Sequence, residues 1–136
     1  MCIDRRGVFS GAAALVAAPL PLLAADNTAF TREAFRLRDE AVAAGDQPYG
    51  AVVVLDGRIV GLGESRVVRD RNADAHAERV ALAAAQATLG RLRLEGAVIV
   101  SSSIPCGRCQ SALAVAGIAR MIHGRDGLDA GAPRAS

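Results

Sequence analysis

Residues 97–109 read Ala-Val-Ile-Val-Ser-Ser-Ser-Ile-Pro-Cys-Gly-Arg-Cys. The segment 97–101 is too apolar for a strand with one wetted face. It predicts a strand buried on both sides, as in sheets covered by helices front and back. Pro105 then predicts the start of a helix running to about Ala116, because proline is tolerated in a first turn, where its missing N–H is not needed. A buried strand, a short loop and a helix that opens on two cysteines therefore follow one another directly.

Outward from this segment, helical and extended patterns alternate. Residues 29–44 place Phe30, Ala34, Leu37, Ala41 and Ala44 on one helical stripe, with Thr28 to cap the start and Gly45 to end it. Two β-branched runs, 51–55 and 58–62, flank Asp56-Gly57, a strong hairpin signal because both central residues of the tight turn need positive φ. Residues 64–75 are polar and read as a loop. A second helix fits 76–89 with Gly90 as its stop. Residues 119–123 read as a short last strand, and the Gly-, Ala- and Asp-rich tail from Gly124 as loose. The order is helix, hairpin, helix, strand, helix, strand. It predicts an α/β fold, a three-layer α/β/α sandwich with a mixed central sheet.

Composition narrows the function. A chain of 136 residues allows one domain, and 51% hydrophobic with 22% charged residues excludes disorder. The 16 basic residues are all arginine and face 14 acidic ones, a net charge of +2. That balance argues against a main role in gripping phosphate backbones. With 3% aromatics and no tryptophan, single-strand binding by base stacking is also disfavoured. At the start, Arg5-Arg6 precedes an apolar, alanine-rich run from Val8 to Leu23, the order of an export signal of the twin-arginine type, which carries folded proteins. The run falls short of the ~20 residues that span a bilayer, and Pro19 and Pro21 interrupt it. Residues 1–25 are thus expected to be an export signal, giving a periplasmic protein with no membrane contact after cleavage, with a cytoplasmic location as the alternative. Residues 26–136 are expected to be the functional domain.

Two clusters carry the chemistry, His76-Ala77-Glu78 and Pro105-Cys106-Gly107-Arg108-Cys109. Each follows a loop and opens a predicted helix. Alone, a His-x-Glu is most often a solvated helix start, and a Cys-x-x-Cys is ambiguous among metal, redox and packing roles. Together they fit zinc. Cys106 and Cys109 on one helical turn can face a common point, and His76 can supply nitrogen from another helix, leaving a fourth tetrahedral position for water. Two helix N-termini aimed at that point would favour thiolates. Glu78 can point into the same pocket as a proton carrier, while bound zinc lowers the pKa of a water toward ~7.

These motifs resemble the cytidine deaminase-like superfamily, and within it the branch of guanine, cytosine and tRNA-adenosine deaminases. The likeness covers about residues 28–126. It is carried by Pro48-Tyr49-Gly50-Ala51, Ala75-His76-Ala77-Glu78 and Pro105 to Cys109. The resemblance implies His76, Cys106 and Cys109 as ligands of Zn²⁺, with Glu78 as general acid/base. It further implies substrate contacts from Tyr49, Ala51, Ser65, Ala75 and Ser103, and hydrolytic loss of ammonia from a purine or pyrimidine base or nucleoside. A homodimer is expected. Nucleic acid is not expected as the partner.

Three departures bear on substrate rather than on zinc. Ser65 stands where the branch usually has Asn at the end of its second strand. Ile104 stands where a Glu commonly precedes Pro-Cys. The fold is expected to be shortened at the C-terminus, lacking a further helix and strand. Competing readings are tRNA adenosine editing, a thiol–disulfide protein using Cys106 and Cys109, and a zinc-stabilised scaffold with weakened catalysis. Tyr49 reads either as a flank of the substrate ring or as a core aromatic. Arg66, Arg69 and Arg71 read as a solvated loop rather than a phosphate contact, and His123 as an ordinary strand end.

Overall fold

The computed structural model describes residues 27–136. The predicted export signal over 1–25 lies outside the described residues. Among the described residues no helix is long and apolar enough to cross a membrane. The elements are α1 (Asn27–Ala43), β1 (Gly50–Leu55), β2 (Arg58–Glu64), α2 (Ala77–Leu89), β3 (Val98–Ser101), α3 (Gly107–Val115), β4 (Arg120–His123) and β5 (Leu128–Asp129). One sheet joins the strands in the order β2-β1-β3-β4-β5. β1 is antiparallel to β2 and β3, β3 is parallel to β4, and β5 turns back antiparallel. The sheet is mixed, as its sequence pattern predicts.

Residue parity explains the layers, because successive strand side chains point to opposite faces. Ala51, Val53, Ile99 and Met121 pack with Ala77, Ala81, Leu82 and Ala85 of α2 and Leu113 of α3. Val52, Val54, Val100 and Ile122 pack on the other face with Leu37 of α1. A strand apolar at every position demands cover on both sides and receives it, which makes the three-layer sandwich. Each fully buried Val, Leu or Ile contributes about 1.5–3 kcal/mol.

The Asp56-Gly57 turn forms as predicted, with φ of 52° and 76°. Beyond it, β2 lies tightly on α2. A Cβ added at Gly63 would stand 2.3 Å from the carbonyl oxygen of Ala77 and 2.3 Å from the amide nitrogen of Ala81. Glycine on the strand and alanine on the helix thus set the depth of α2, and with it the position of His76 at its start.

Three local expectations need correction. α1 begins at Asn27, so Thr28 lies inside its first turn instead of capping it. Pro105 lies ahead of α3: Cys106 is the extended cap residue (φ −72°, ψ 169°), and the Pro105 carbonyl is taken by the Gln110 side chain at 3.0 Å. The tail is not loose. Leu128 and Asp129 pair with His123 and Ile122, and the pairing continues as the Ala130 N–H donates to the Met121 carbonyl at 2.8 Å. Asp129 also accepts from Arg120 at 2.9 Å and from the Gly131 N–H at 2.8 Å.

Candidate active site

The N-termini of α2 and α3 meet at one point. His76 caps α2 in an extended conformation and Cys106 does the same for α3, so both side chains leave the helices forward. His76 Nδ1 lies 3.6 Å from Cys106 Sγ and 3.4 Å from Cys109 Sγ. The three donor atoms all lie within 4.8 Å of one another. Cys106 is exposed, Cys109 buried, and both are free thiols.

The donor geometry fits zinc. Zn–N near 2.05 Å and Zn–S near 2.3 Å at tetrahedral angles put nitrogen and sulfur about 3.6 Å apart. Both observed separations match that edge, and the donor set of one imidazole and two thiols is one that zinc prefers. Burial pushes the Cys109 thiol well above its usual range, and the neighbouring Glu78 charge and Cys106 push the same way. The His76 nitrogen at those separations from both sulfurs favours the zinc reading over the thiol–disulfide one, which has no use for an imidazole there.

Glu78, 4% exposed, extends from the first turn of α2 toward the cluster. Its Oε2 stands 3.8 Å from Cys109 Sγ. Its Oε1 accepts a hydrogen bond from Ser101 Oγ at 2.9 Å. Ser101 was not among the residues singled out from sequence. Its signal was present in retrospect: it ends the buried strand β3 on the parity of Ile99, whose side chain faces α2.

A cavity of ≈350 Å³ opens in front of the cluster, lined by Gln47, Tyr49, His76, Glu78, Ser103, Ile104 and Cys106. Tyr49 and Ser103, expected as substrate contacts, are both on its wall. Tyr49 is 39% exposed, which excludes the core-aromatic reading. Ile104, where the branch commonly has Glu, forms an apolar part of the wall. Gln47 is a wall residue that the sequence reading missed.

Ala51, Ser65 and Ala75 are not on the cavity lining. Ala51 is buried in mid-sheet between Gly63 and Ser101. Ala75 is buried beside His76, with its carbonyl accepting from the Arg66 N–H at 3.0 Å. Ser65 is fully buried and donates its hydroxyl to Asp46 Oδ1 at 2.8 Å. Asp46 also accepts from the N–H groups of Gln47 and Arg69, each at 2.8 Å, and of Val68 at 3.1 Å. Burial alone would raise the Asp46 carboxyl, but these hydrogen bonds outweigh it and hold the group well below the usual carboxylate range. Asp46 thereby fastens the 65–69 loop to the end of α1. Within that loop Arg66 pairs with Asp70, and Arg69 with Asp46 and Glu64, so these two arginines are engaged internally.

Residues 24–125 match the family described as the cytidine and deoxycytidylate deaminase zinc-binding region. A tRNA(Ile)-lysidine synthase of Deinococcus deserti is 40% identical over 123 residues, which cover 90% of this chain and 22% of that protein. A guanine deaminase of Bacillus subtilis is 35% identical over 89 residues, 65% of this chain and 57% of that enzyme. The chain therefore spans less than two thirds of the length of these curated relatives. A solved structure from work on A-to-I editing tRNA deaminases at the wobble position superposes with a TM-score of 0.71 at 33% identity, covering 73% of this chain and 76% of that one. With the match extending over most of its length, this chain belongs to the family of the cytidine and deoxycytidylate deaminase zinc-binding region.

Proposed function

We propose that the protein is a zinc-dependent hydrolase that deaminates a purine or pyrimidine base or nucleoside, exchanging a ring amino group for oxygen and releasing ammonia. The observation that carries this reading is the placement of Glu78, with one carboxylate oxygen tied to Ser101 and the other turned toward the His76, Cys106 and Cys109 donors. Those three residues would hold zinc, which when bound acts as a Lewis acid and makes water a usable nucleophile at neutral pH. The chain's own residues do the rest. Glu78 Oε2 takes a proton from the attacking water and passes it to the ring nitrogen, then carries the second proton, from the hydroxyl now on the ring carbon, to the amino group as the C–N bond breaks and ammonia leaves. Tyr49 and Ile104 offer flat and apolar surface to a planar ring. Gln47 and Ser103 offer hydrogen-bonding groups to its edge.

The test is ammonia release from guanine, cytosine, adenine and their nucleosides by the zinc-loaded protein. Turnover of at least one, and a loss of ~10²-fold or more in Glu78→Gln with zinc retained, supports the reading. Zinc-loaded protein inert toward the whole panel points instead to a scaffold with weakened catalysis. Likeness to a wobble-position tRNA deaminase favours one second reading, editing of adenosine in tRNA. Tight tRNA binding that weakens steeply with salt would support it over a small-molecule substrate.

A further inference from the structure

A second cavity, of ≈230 Å³, lies on the opposite face of the sheet, between the first turns of α1 and the turn that joins β4 to β5. Thr28, Thr31, Arg32, Phe35 and Arg125 line it, and none of them is acidic. Arg36 nearby is held by Glu33 and Glu40, and Arg38 by Asp39. Arg32 and Arg125, by contrast, have no carboxylate partner among the described residues. The Arg125 guanidinium stacks on the Phe35 ring, 4.3 Å from its centroid. Stacking fixes the plane of the group and leaves its N–H edge free to donate.

The third observation is a hydroxyl without a partner. Thr31 is 7% exposed, and its Oγ1 is buried with no hydrogen bond. It faces the β4–β5 turn, 3.6 Å from where a Cβ on Gly127 would stand. Buried polar groups left unsatisfied are rare enough to ask what completes them. Here the surroundings are two guanidinium groups with no carboxylate partner among the described residues, a setting that selects an anion.

We propose that this cavity binds a phosphate group, either inorganic phosphate or the monoester of a nucleotide. Arg32 and Arg125 supply charge-assisted donors from two sides, and Thr28 and Thr31 complete the cradle. The turn bearing Arg125 starts at Gly124, whose N–H donates to the Ser101 carbonyl at 3.1 Å. The site therefore backs onto the same strand end whose hydroxyl holds Glu78. The proposal stands apart from the deaminase reading, since it uses none of the zinc-site residues.

The experiment is calorimetric titration of the full zinc-loaded protein at low ionic strength with inorganic phosphate, a nucleoside 5′-monophosphate and the parent nucleoside. Phosphate and the monophosphate should bind. The double variant Arg32→Ala/Arg125→Ala should bind both roughly tenfold or more weakly while unfolding at an unchanged temperature. Thr31→Val should fold at least as well as the parent and bind phosphate several-fold more weakly. Glu78→Gln should bind phosphate as the parent does, whatever its activity. A monophosphate much tighter than phosphate names the nucleotide as the source, and equal affinities name the free ion. No binding of phosphate, or equal binding by the double variant, overturns the proposal.

Discussion

Ser101 Oγ donates to Glu78 Oε1 at 2.9 Å, and both residues are buried. The bond joins the C-terminal end of β3 to the first turn of α2. It leaves Oε2 as the oxygen that faces Cys109, one of the three candidate metal ligands. Ser101 touches none of those ligands itself, so its contribution is to hold the carboxylate in one orientation.

Ser101→Ala should therefore lower kcat with little effect on KM or zinc content. A hydrogen bond to a charged group contributes about 1.5–3 kcal/mol, which corresponds to roughly a ten- to hundredfold loss of rate. Steady-state kinetics paired with metal analysis checks this. Unchanged kcat with full zinc occupancy would show that Glu78 is oriented by other means.

Asp46 and Ser65 predict an effect on stability in place of one on substrate. The folded Asp46 carboxyl titrates below its ordinary 3.8, so its contribution is fully present above that pH and is lost as pH falls through the folded value. Asp46→Asn should unfold at lower denaturant than the parent at pH 7, and the gap should narrow below about pH 4. Ser65→Ala should be less stable in the same way while KM stays near the parent value. A large rise in KM at unchanged stability would return Ser65 to the substrate-contact role that its position in the sequence suggests.

Much of this architecture was legible because its signals are local. Asp56-Gly57 fixes a hairpin by backbone sterics alone, and the unbroken apolar run of β3 implies cover on both faces. The candidate ligands were legible because each cluster sits within a few residues at a helix start. What stayed hidden depends on distant partners. Nothing near Ser65 announces that its hydroxyl is committed to Asp46, 19 positions earlier. Nothing near Ser101 names Glu78. The two residues of β5 are too few to show a period, and their strand exists only because β4 presents an edge beside them.

Gly63 tests how closely the ligand geometry depends on the sheet. A methyl group there would press on backbone atoms of Ala77 and Ala81, which cannot rotate away. Gly63→Ala should cost about 1–3 kcal/mol or more, the usual range for overpacking. It should also lift the start of α2 and weaken zinc binding, because His76 caps that helix. Denaturant unfolding and zinc competition measured on the same protein check both effects. Parent-like values in both would mean that α2 is positioned from elsewhere.

Zinc loading should depend on pH with a definite sign. Burial, the Glu78 charge and Cys106 all keep the Cys109 thiol protonated in the metal-free protein at neutral pH. Only the thiolate is a ligand, so binding must release that proton, and the apparent affinity should rise by at least about tenfold per pH unit between pH 6 and 8. Competition against a chromophoric chelator at several pH values measures this, and proton release into weak buffer counts the protons directly. Cys109→Ser should lose most of the affinity and flatten the dependence. In the parent, an affinity independent of pH would mean that the metal does not bind through Cys109, and the assignment of His76, Cys106 and Cys109 as one ligand set would fall with it.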